Sequence, residues 1–196
     1  MLIIHRGYFL KGDENIKDTR DHIFINARSA FSEYGYKRTS LDQIAKMSGT
    51  GKSTIYHYVD SKRTLFKEII NEEVSHGEKL VEEFLNSSPS IENISDFLFH
   101  YRENQLNSEL ISKIINEAKQ IGTTEAFEEL ARLEESNHRI MSLILDHFEL
   151  AEDESERELM SFLIVEVFNL LTIKWTESNA PLDNNKVEKI IYKLIK

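Results

Sequence analysis

Very few residues in this chain would interrupt an α-helix, because its 196 residues include only two prolines and seven glycines. These are the two residue types that destabilise a helix interior most. Apolar side chains recur every three or four residues along most of the chain, which is the spacing of one helix face. No stretch alternates apolar and polar side chains over more than a few positions, as a strand would. We therefore expect an all-α fold.

Capping and turn residues divide the chain into separate predicted helices. Gly35 follows the first of them, at the place where a left-handed C-terminal cap is expected. Residues 86–90, Asn-Ser-Ser-Pro-Ser, form the clearest linker. The predicted helices cover residues 19–34, 41–47, 52–58, 62–85, 91–106, 108–121, 124–149, 153–178 and 184–195.

The second and third predicted helices are short, and the turn Ser48-Gly49-Thr50-Gly51 joins them. Ser40 precedes the second helix and Gln43 follows three residues later, which is the pattern of a capping box. The third helix, residues 52–58, consists almost entirely of hydrogen-bond donors, whereas a helix of a plain bundle would have one apolar side. Short or planar donors suit phosphates and base edges. The pattern predicts a helix-turn-helix whose second helix enters the major groove of double-stranded DNA.

The distribution of charge agrees with DNA binding at one end of the chain, although the net charge is −10. Residues 1–67 hold 12 Lys/Arg against 7 Asp/Glu, a net charge of +5, whereas residues 68–196 hold 12 against 27, a net charge of −15. A basic end on an acidic body is expected when only that end meets phosphates. The acidic body also fits a rival interpretation, a helical interaction module that binds a protein partner and no DNA.

Residues 19–66 contain a set of residues in a specific order and spacing. They are Phe31, Gly35-Tyr36, Thr39-Ser40-Leu41, Ile44-Ala45, Gly49, Lys52, Thr54-Ile55-Tyr56-His57, Ser61-Lys62 and Leu65-Phe66. In these residues the segment resembles the DNA-binding domain of the TetR family of repressors. The resemblance implies an N-terminal DNA-binding domain and a helical C-terminal domain that dimerises and binds an inducer. Two positions depart from the family pattern: Gly51 stands where a serine commonly caps the recognition helix, and Val59 replaces a usual aromatic anchor.

We expect two functional units, an N-terminal arm with the helix-turn-helix over residues 1–62 and a ligand-binding and dimerisation unit over residues 63–196. The expected function is that of a homodimeric repressor that binds a near-palindromic operator and is released by a small-molecule effector. The helix over residues 62–85 is the expected transmitter, since it begins at the DNA-binding unit. The residues expected to contact DNA are Thr39, Ser40, Lys52, Ser53, Thr54, Tyr56, His57 and Lys62.

Polar side chains interrupt two otherwise apolar helix faces in the C-terminal half. A few polar groups within an apolar and aromatic lining are typical of a ligand pocket. Hydrogen bonds between helices of a plain core would explain each polar residue equally well, and the family resemblance tilts the interpretation towards a pocket. The residues expected to bind the ligand are Phe97, Tyr101, Arg102, Phe127, Asn137 and Met141.

The segment 159–175 is apolar on nearly every side, so a solvent-facing side is hard to assign to it. It fits either a helix that packs on its own core and on a second subunit, or one deeply buried central helix. We favour the two-fold interface, to which the last helix would contribute. The expected interface residues are Phe168, Leu171, Trp175 and Ile191.

Several other functions are disfavoured by the sequence. The chain has no cysteine, and none of its seven histidines pairs with another at helical spacing, so we expect no metal site. The segment Gly51-Lys52-Ser53 resembles the end of a phosphate-binding loop, but Lys46 occupies the position that requires glycine and no strand precedes it. We find no catalytic cluster and expect neither an enzyme nor a cofactor. The longest apolar run is shorter than the roughly 20 residues of a bilayer span, so we expect a cytoplasmic protein without membrane contact.

Overall fold

The computed structural model describes residues 19–178 together with Lys189 and Lys193. It describes only the backbone of Leu106, Asn107, Phe168 and residues 171–178. The described residues form helices and connecting turns without a strand, which confirms the predicted all-α fold. The helices are α1 (Thr19–Arg38), α2 (Leu41–Met47), α3 (Lys52–Tyr58), α4 (Lys62–Asn86), α5 (Asn93–Asn107), α6 (Glu109–Asn116), a π-helix (Glu117–Ile121), α7 (Thr124–His147) and α8 (Glu154–Ser178).

Two parts of the sequence prediction lie outside the described residues. One is the N-terminal arm, of which residues 1–18 are not described. The other is the last predicted helix, residues 184–195, of which only Lys189 and Lys193 are described. None of the helices in the described part is both long enough and apolar enough to span a bilayer.

The first helix contains a kink at the glycine that the sequence assigns to its end. Gly35 has φ 80° and ψ 170°, and the last turn of α1 continues beyond it to Arg38. A positive φ favours glycine because a Cβ would collide with the backbone there. The space beside Gly35 is also occupied, since a Cβ at that position would collide with the carboxylate of Glu117.

One predicted helix proves to be two elements. The segment predicted as a single helix over residues 108–121 is an α-helix to Asn116 and then one turn of π-helix. The turn ends at Gly122, whose φ of 71° is left-handed. The wider π turn begins at Glu117, a buried carboxylate that faces the end of α1. Such π turns are rare in proteins, and those that occur are often found at functional sites.

Two apolar clusters form the core. The first joins α1–α4 to α6 and the start of α7, and its aromatic centre includes Phe31 and Phe66, whose ring centroids are 4.9 Å apart. The second joins the end of α4 to α5, α7 and α8. The first cluster contains side chains from both sides of residue 62, such as Ile44 and Ile111. The two functional units predicted from the sequence therefore share a continuous core.

Candidate nucleic-acid interface and interior cavity

Helices α2 and α3 are held as a rigid pair by a buried face and a tight turn. Ser40 caps α2, because its hydroxyl accepts a hydrogen bond from the backbone N–H of Gln43 at 3.2 Å. Gly49 adopts the left-handed φ of 65° that the reversal requires. Ile44 of α2 and Ile55 of α3 are fully buried in the first cluster. The geometry is that of a helix-turn-helix.

The outer face of α3 is polar and open to solvent. Lys52, Ser53, Tyr56 and His57 are exposed, and Thr54 is half-buried beside them. Helix α3 is seven residues long and is anchored in the core through Ile55. Its exposed hydrogen-bond donors are suited to contacts with base edges and phosphates. No side chain caps the start of α3, which begins after Gly51.

An ion pair crosses the outer face between the two helices. The Lys52 ammonium lies 2.9 Å from a carboxylate oxygen of Asp42, and both side chains are 58% exposed. The hydrogen bond to Asp42 raises the pKa of Lys52, so the side chain is fully charged at neutral pH. An exposed pair of this kind contributes little to stability. It nevertheless sets the direction in which the Lys52 side chain leaves the helix.

A small cavity of about 40 Å³, partly open to solvent, lies between α5, α7 and α8, within the second cluster. Its polar groups form one hydrogen-bonded network. Gln105 Nε2 donates to Asn137 Oδ1 at 2.8 Å and to the Tyr101 hydroxyl at 3.0 Å. The cavity is lined by Leu98, Tyr101, Arg102, Gln105, Asn137, Ile140, Met141, Val165 and Asn169.

Arg102 completes this network from the same side of the cavity. Its Nη1 donates to Gln105 Oε1 and its Nη2 to Asn169 Oδ1, both at 2.8 Å. Its Nε is buried and has no hydrogen-bond partner among the described residues. Burial lowers the pKa of the Arg102 guanidinium and raises the pKa of the neighbouring Tyr101 hydroxyl to about 12.

The cavity touches α4 through one close contact. The Tyr101 hydroxyl lies against Gly77, where a Cβ would stand only 2.7 Å from it. A glycine at this point lets the aromatic ring of α5 approach the α4 backbone. A change in the position of Tyr101 would therefore alter its contact with α4, the helix that begins beside the helix-turn-helix.

Comparisons with known proteins agree with this geometry. A family model described as bacterial regulatory proteins of the tetR family matches residues 23–69, which span the helix-turn-helix and the helices that pack on it. Residues 23–69 therefore form a DNA-binding domain of the TetR family. The chain is accordingly a DNA-binding transcription regulator.

Proteins similar to this chain include further regulators. An uncharacterised HTH-type transcriptional regulator of Bacillus subtilis, YhgD, is 29% identical over 180 residues, which are 89% of this chain and 93% of YhgD. The negative regulator of the biofilm operon icaADBC of Staphylococcus aureus, IcaR, is 32% identical over 83 residues, 42% of this chain and 45% of IcaR. The structure of the regulator FadR from Bacillus subtilis in complex with stearoyl-CoA superposes with a TM-score of 0.66 at 16% identity, covering 90% of this chain and 97% of FadR. This last likeness concerns the fold.

Two of the eight residues expected to contact DNA have their polar groups turned into the protein. Thr39 is only 3% exposed, and its hydroxyl lies 2.7 Å from the Gly35 carbonyl oxygen, so we correct its assignment from DNA contact to core residue. The Lys62 ammonium donates to the carbonyl oxygens of Tyr36 and Thr39, each at 2.9 Å, and lies 4.2 Å from the centre of the Tyr36 ring. Lys62 thus ties the start of α4 to the junction of α1 and α2.

Four of the six residues expected to bind the ligand line the cavity, and two do not. Phe97 instead stacks on Phe84, with ring centroids 4.2 Å apart. Phe127 is 64% exposed, which corrects its assignment. The buried face of α7 begins at Ala126 and continues through Glu129 and Leu130, because the Glu129 carboxylate pairs with Arg132 and can be covered. The position that was expected to be buried at this end of α7 is therefore taken by Ala126.

The sequence reasoning left out five of the nine cavity residues. They are Leu98, Gln105, Ile140, Val165 and Asn169. The sequence contains indications of the two polar residues, Gln105 and Asn169. Gln105 follows Arg102 by three residues on the same helix face, and Asn169 interrupts the apolar run of α8. The apolar three could not be distinguished from ordinary core residues without coordinates.

The four residues expected at the dimer interface lie in or beyond the C-terminal part of α8. The side chains of Phe168, Leu171 and Trp175, and all of Ile191, lie outside the described residues. The described part of α8 does present an outward apolar face. Its members, each more than half exposed, are Leu159, Phe162, Leu163 and Leu170.

Proposed function

We propose that the chain is a homodimeric repressor that binds a near-palindromic operator through α3 and leaves it when a small molecule fills the cavity. The observation that carries the proposal is the polar outer face of α3 on a rigid, buried support. Residues 1–62 would form the DNA-binding unit and residues 63–196 the unit for effector and partner subunit. Such a protein acts in the cytoplasm, where bacterial DNA lies.

The expected contacts with DNA follow from the exposure of each side chain. Lys52 suits the paired acceptors of guanine, and Ser53 and His57 are its exposed neighbours on α3. Tyr56 and the cap residue Ser40 suit phosphates, which fix the register of the protein on the duplex. Binding then requires Lys52 to exchange its ion pair with Asp42 for an interaction with a base.

Dimerisation is proposed from the outward apolar face of α8. Complete burial of a leucine or phenylalanine side chain contributes about 1.5–3 kcal/mol. Four such side chains on one helix therefore favour a covering surface, and a second copy offers the same surface through a two-fold axis. Two copies also provide the two recognition helices that a near-palindromic operator needs.

Repression and release are supported by the relatives. IcaR is named as a negative regulator, and the structurally similar FadR was determined with stearoyl-CoA bound. In this chain the cavity between α5, α7 and α8 is the place for an effector. A ligand that favours one spacing of the two α3 helices over another shifts the population towards the state that no longer fits DNA.

Two connections lead from the effector unit to the DNA-binding unit. The first is α4, which Tyr101 touches at Gly77 and which Lys62 ties to the end of α1. The second was not expected from the sequence: α1 packs extensively against α6, and Glu117 binds the backbone at Lys37. Release would require both connections to shift together.

A mobility-shift assay with DNA from upstream of the chain's own coding sequence tests the proposal. We expect a discrete complex that survives an excess of random competitor DNA and protects two half-sites about one helical turn apart in a footprint. The rival, a helical module that binds a protein partner only, predicts no discrete complex. A complex that random DNA competes away equally well would contradict operator recognition.

A further inference from the structure

The guanidinium of Arg102 has no carboxylate in contact with it among the residues that the structure describes. No Asp or Glu of the described residues comes within 4.0 Å of it, whereas other arginines such as Arg139 and Arg157 form such pairs. Glu134 and Glu166 act on it only from a greater distance. Arg102 therefore enters the cavity as a cation whose charge is not neutralised locally.

The hydrogen bonds of Arg102 are also weaker than its chemistry permits. Its two described acceptors are the neutral side-chain oxygens of Gln105 and Asn169, and the described residues offer no acceptor to its buried Nε–H. A buried charge without a counter-charge is costly, and hydrogen bonds between two charged groups are roughly twice as strong as neutral ones. An anion in the cavity would supply both the charge and the missing acceptor.

The other walls of the cavity define the rest of the ligand. Leu98, Ile140, Met141 and Val165 are buried apolar side chains. Among the nine lining residues that the structure describes, Arg102 is the only charged one. One cation beside an apolar wall matches one negative charge on an apolar body. A cationic ligand would be repelled, and a neutral one would leave the guanidinium uncompensated.

We infer that the cavity recognises an amphipathic monoanion, such as a carboxylate with an apolar body, and that the Arg102 guanidinium binds the anionic group. This inference rests on the proposed effector role of the cavity, and it adds the chemical class of the effector. Bound carboxylate oxygens accept from Nε and from one Nη of Arg102. The Nη that turns to the ligand gives up Gln105 or Asn169, and loss of the Asn169 contact would loosen the tie between α5 and α8.

Matched acid and amide pairs test the inference by isothermal titration calorimetry on the full chain. The probes are octanoate with octanamide, and naphthalene carboxylate with naphthalene carboxamide, so that each pair differs in charge and hardly in shape. We expect each acid to bind at least about tenfold more tightly than its amide, since a charge-assisted hydrogen bond exceeds a neutral one by this order. Equal binding within both pairs, or no binding of either acid, would overturn the inference.

Arginine variants locate the discrimination. Arg102→Met should bring each acid down to the affinity of its amide, and Arg102→Lys, which keeps the charge, should retain part of the preference. Arg157→Met is the matched control, because Arg157 pairs with Asp146 and does not line the cavity. Circular dichroism establishes that the variants are folded. If the acid preference survived in Arg102→Met, the anion would bind elsewhere and the inference would be wrong.

The same samples separate this inference from the proposed function. An acid that occupies the cavity without changing operator affinity would contradict the release step and leave the recognition of a monoanion intact. A neutral molecule that releases the operator, and binds wild type and Arg102→Met equally, would support the release step and overturn the inference. Both measurements use the full chain, with operator DNA added for the second.

Discussion

The carboxylate of Glu117 accepts a hydrogen bond from the backbone N–H of Lys37 at 2.7 Å. Glu117 is only 2% exposed, and its second oxygen occupies the space that a side chain at Gly35 would need. The contact joins the π-helix after α6 to the kink of α1, across 80 residues of sequence. It provides a link between the two proposed units that does not pass through α4.

The first prediction concerns this link. Glu117→Ala should lower the free energy of unfolding by about 1–3 kcal/mol, because the Lys37 N–H loses its described acceptor. Glu117→Gln should cost less, since its amide oxygen still accepts from the same N–H. Glu128→Ala is the control, as its exposed pair with Arg63 contributes at most about 1 kcal/mol. Urea denaturation measures all three, and equal stability of Glu117→Ala and wild type would contradict the link.

The second prediction compares Lys52 and Lys62, both of which the sequence analysis assigns to DNA contact. Lys52→Ala should weaken operator binding by about 1–3 kcal/mol, because an exposed donor on α3 is lost. Lys62→Ala should instead lower stability and leave operator affinity almost unchanged at a temperature where the variant is folded, since its ammonium is bound to backbone carbonyls. Fluorescence anisotropy and thermal unfolding measure the two effects. If Lys62→Ala reduced the salt dependence of binding by roughly one unit, Lys62 would hold a phosphate after all.

The third prediction concerns the contact between Gly77 and Tyr101. Gly77→Ala should weaken effector binding, because the new Cβ displaces the Tyr101 hydroxyl from the cavity network. The same collision should lower the free energy of unfolding. Tyr101→Phe removes the colliding oxygen, so adding it to Gly77→Ala should restore part of that free energy. The double-mutant cycle should show a coupling free energy of at least about 0.5 kcal/mol. Additive effects of the two substitutions would mean that the close approach has no energetic consequence.

The fourth prediction concerns assembly through α8. Leu163→Glu should convert the dimer into a monomer, because a charge would be buried where an apolar surface is expected. Ile25→Glu on α1 is a matched control, since Ile25 is 55% exposed and Leu163 is 51% exposed. Sedimentation velocity at micromolar concentration distinguishes the species. A wild-type monomer, or a Leu163→Glu dimer, would contradict the proposed interface.

Local patterns predicted the helix-turn-helix well because its signals lie close together in sequence. The Ser40 cap, the positive φ of Gly49 and the buried Ile44 and Ile55 all agree with the pattern read from the chain. The same reasoning could not separate Thr39 from Ser40. One residue turns its hydroxyl into the core and the next caps α2, and only the path of the backbone decides between them.

The cavity and the second link were harder to predict, because they depend on contacts between distant segments. Arg102 and Asn169 meet across 67 residues, and nothing in either helix alone shows that they pair. Phe127 was assigned to the wrong face, because the buried face of α7 begins at Ala126 and includes Glu129, whose carboxylate pairs with Arg132. No local pattern indicates that Glu117 is buried, since carboxylates are seldom buried unless they have partners.

The outer face of α3 is proposed to read the operator. Fluorescence anisotropy tests this role with operator DNA and a scrambled duplex of the same composition, at one fixed salt concentration. Wild type should bind the operator at least about a thousandfold more tightly than the scrambled duplex. The triple variant Lys52→Ala, Ser53→Ala, His57→Ala should bind both duplexes with the weak affinity of non-specific contacts. Equal binding of the two duplexes by wild type, or full discrimination by the triple variant, would contradict this role.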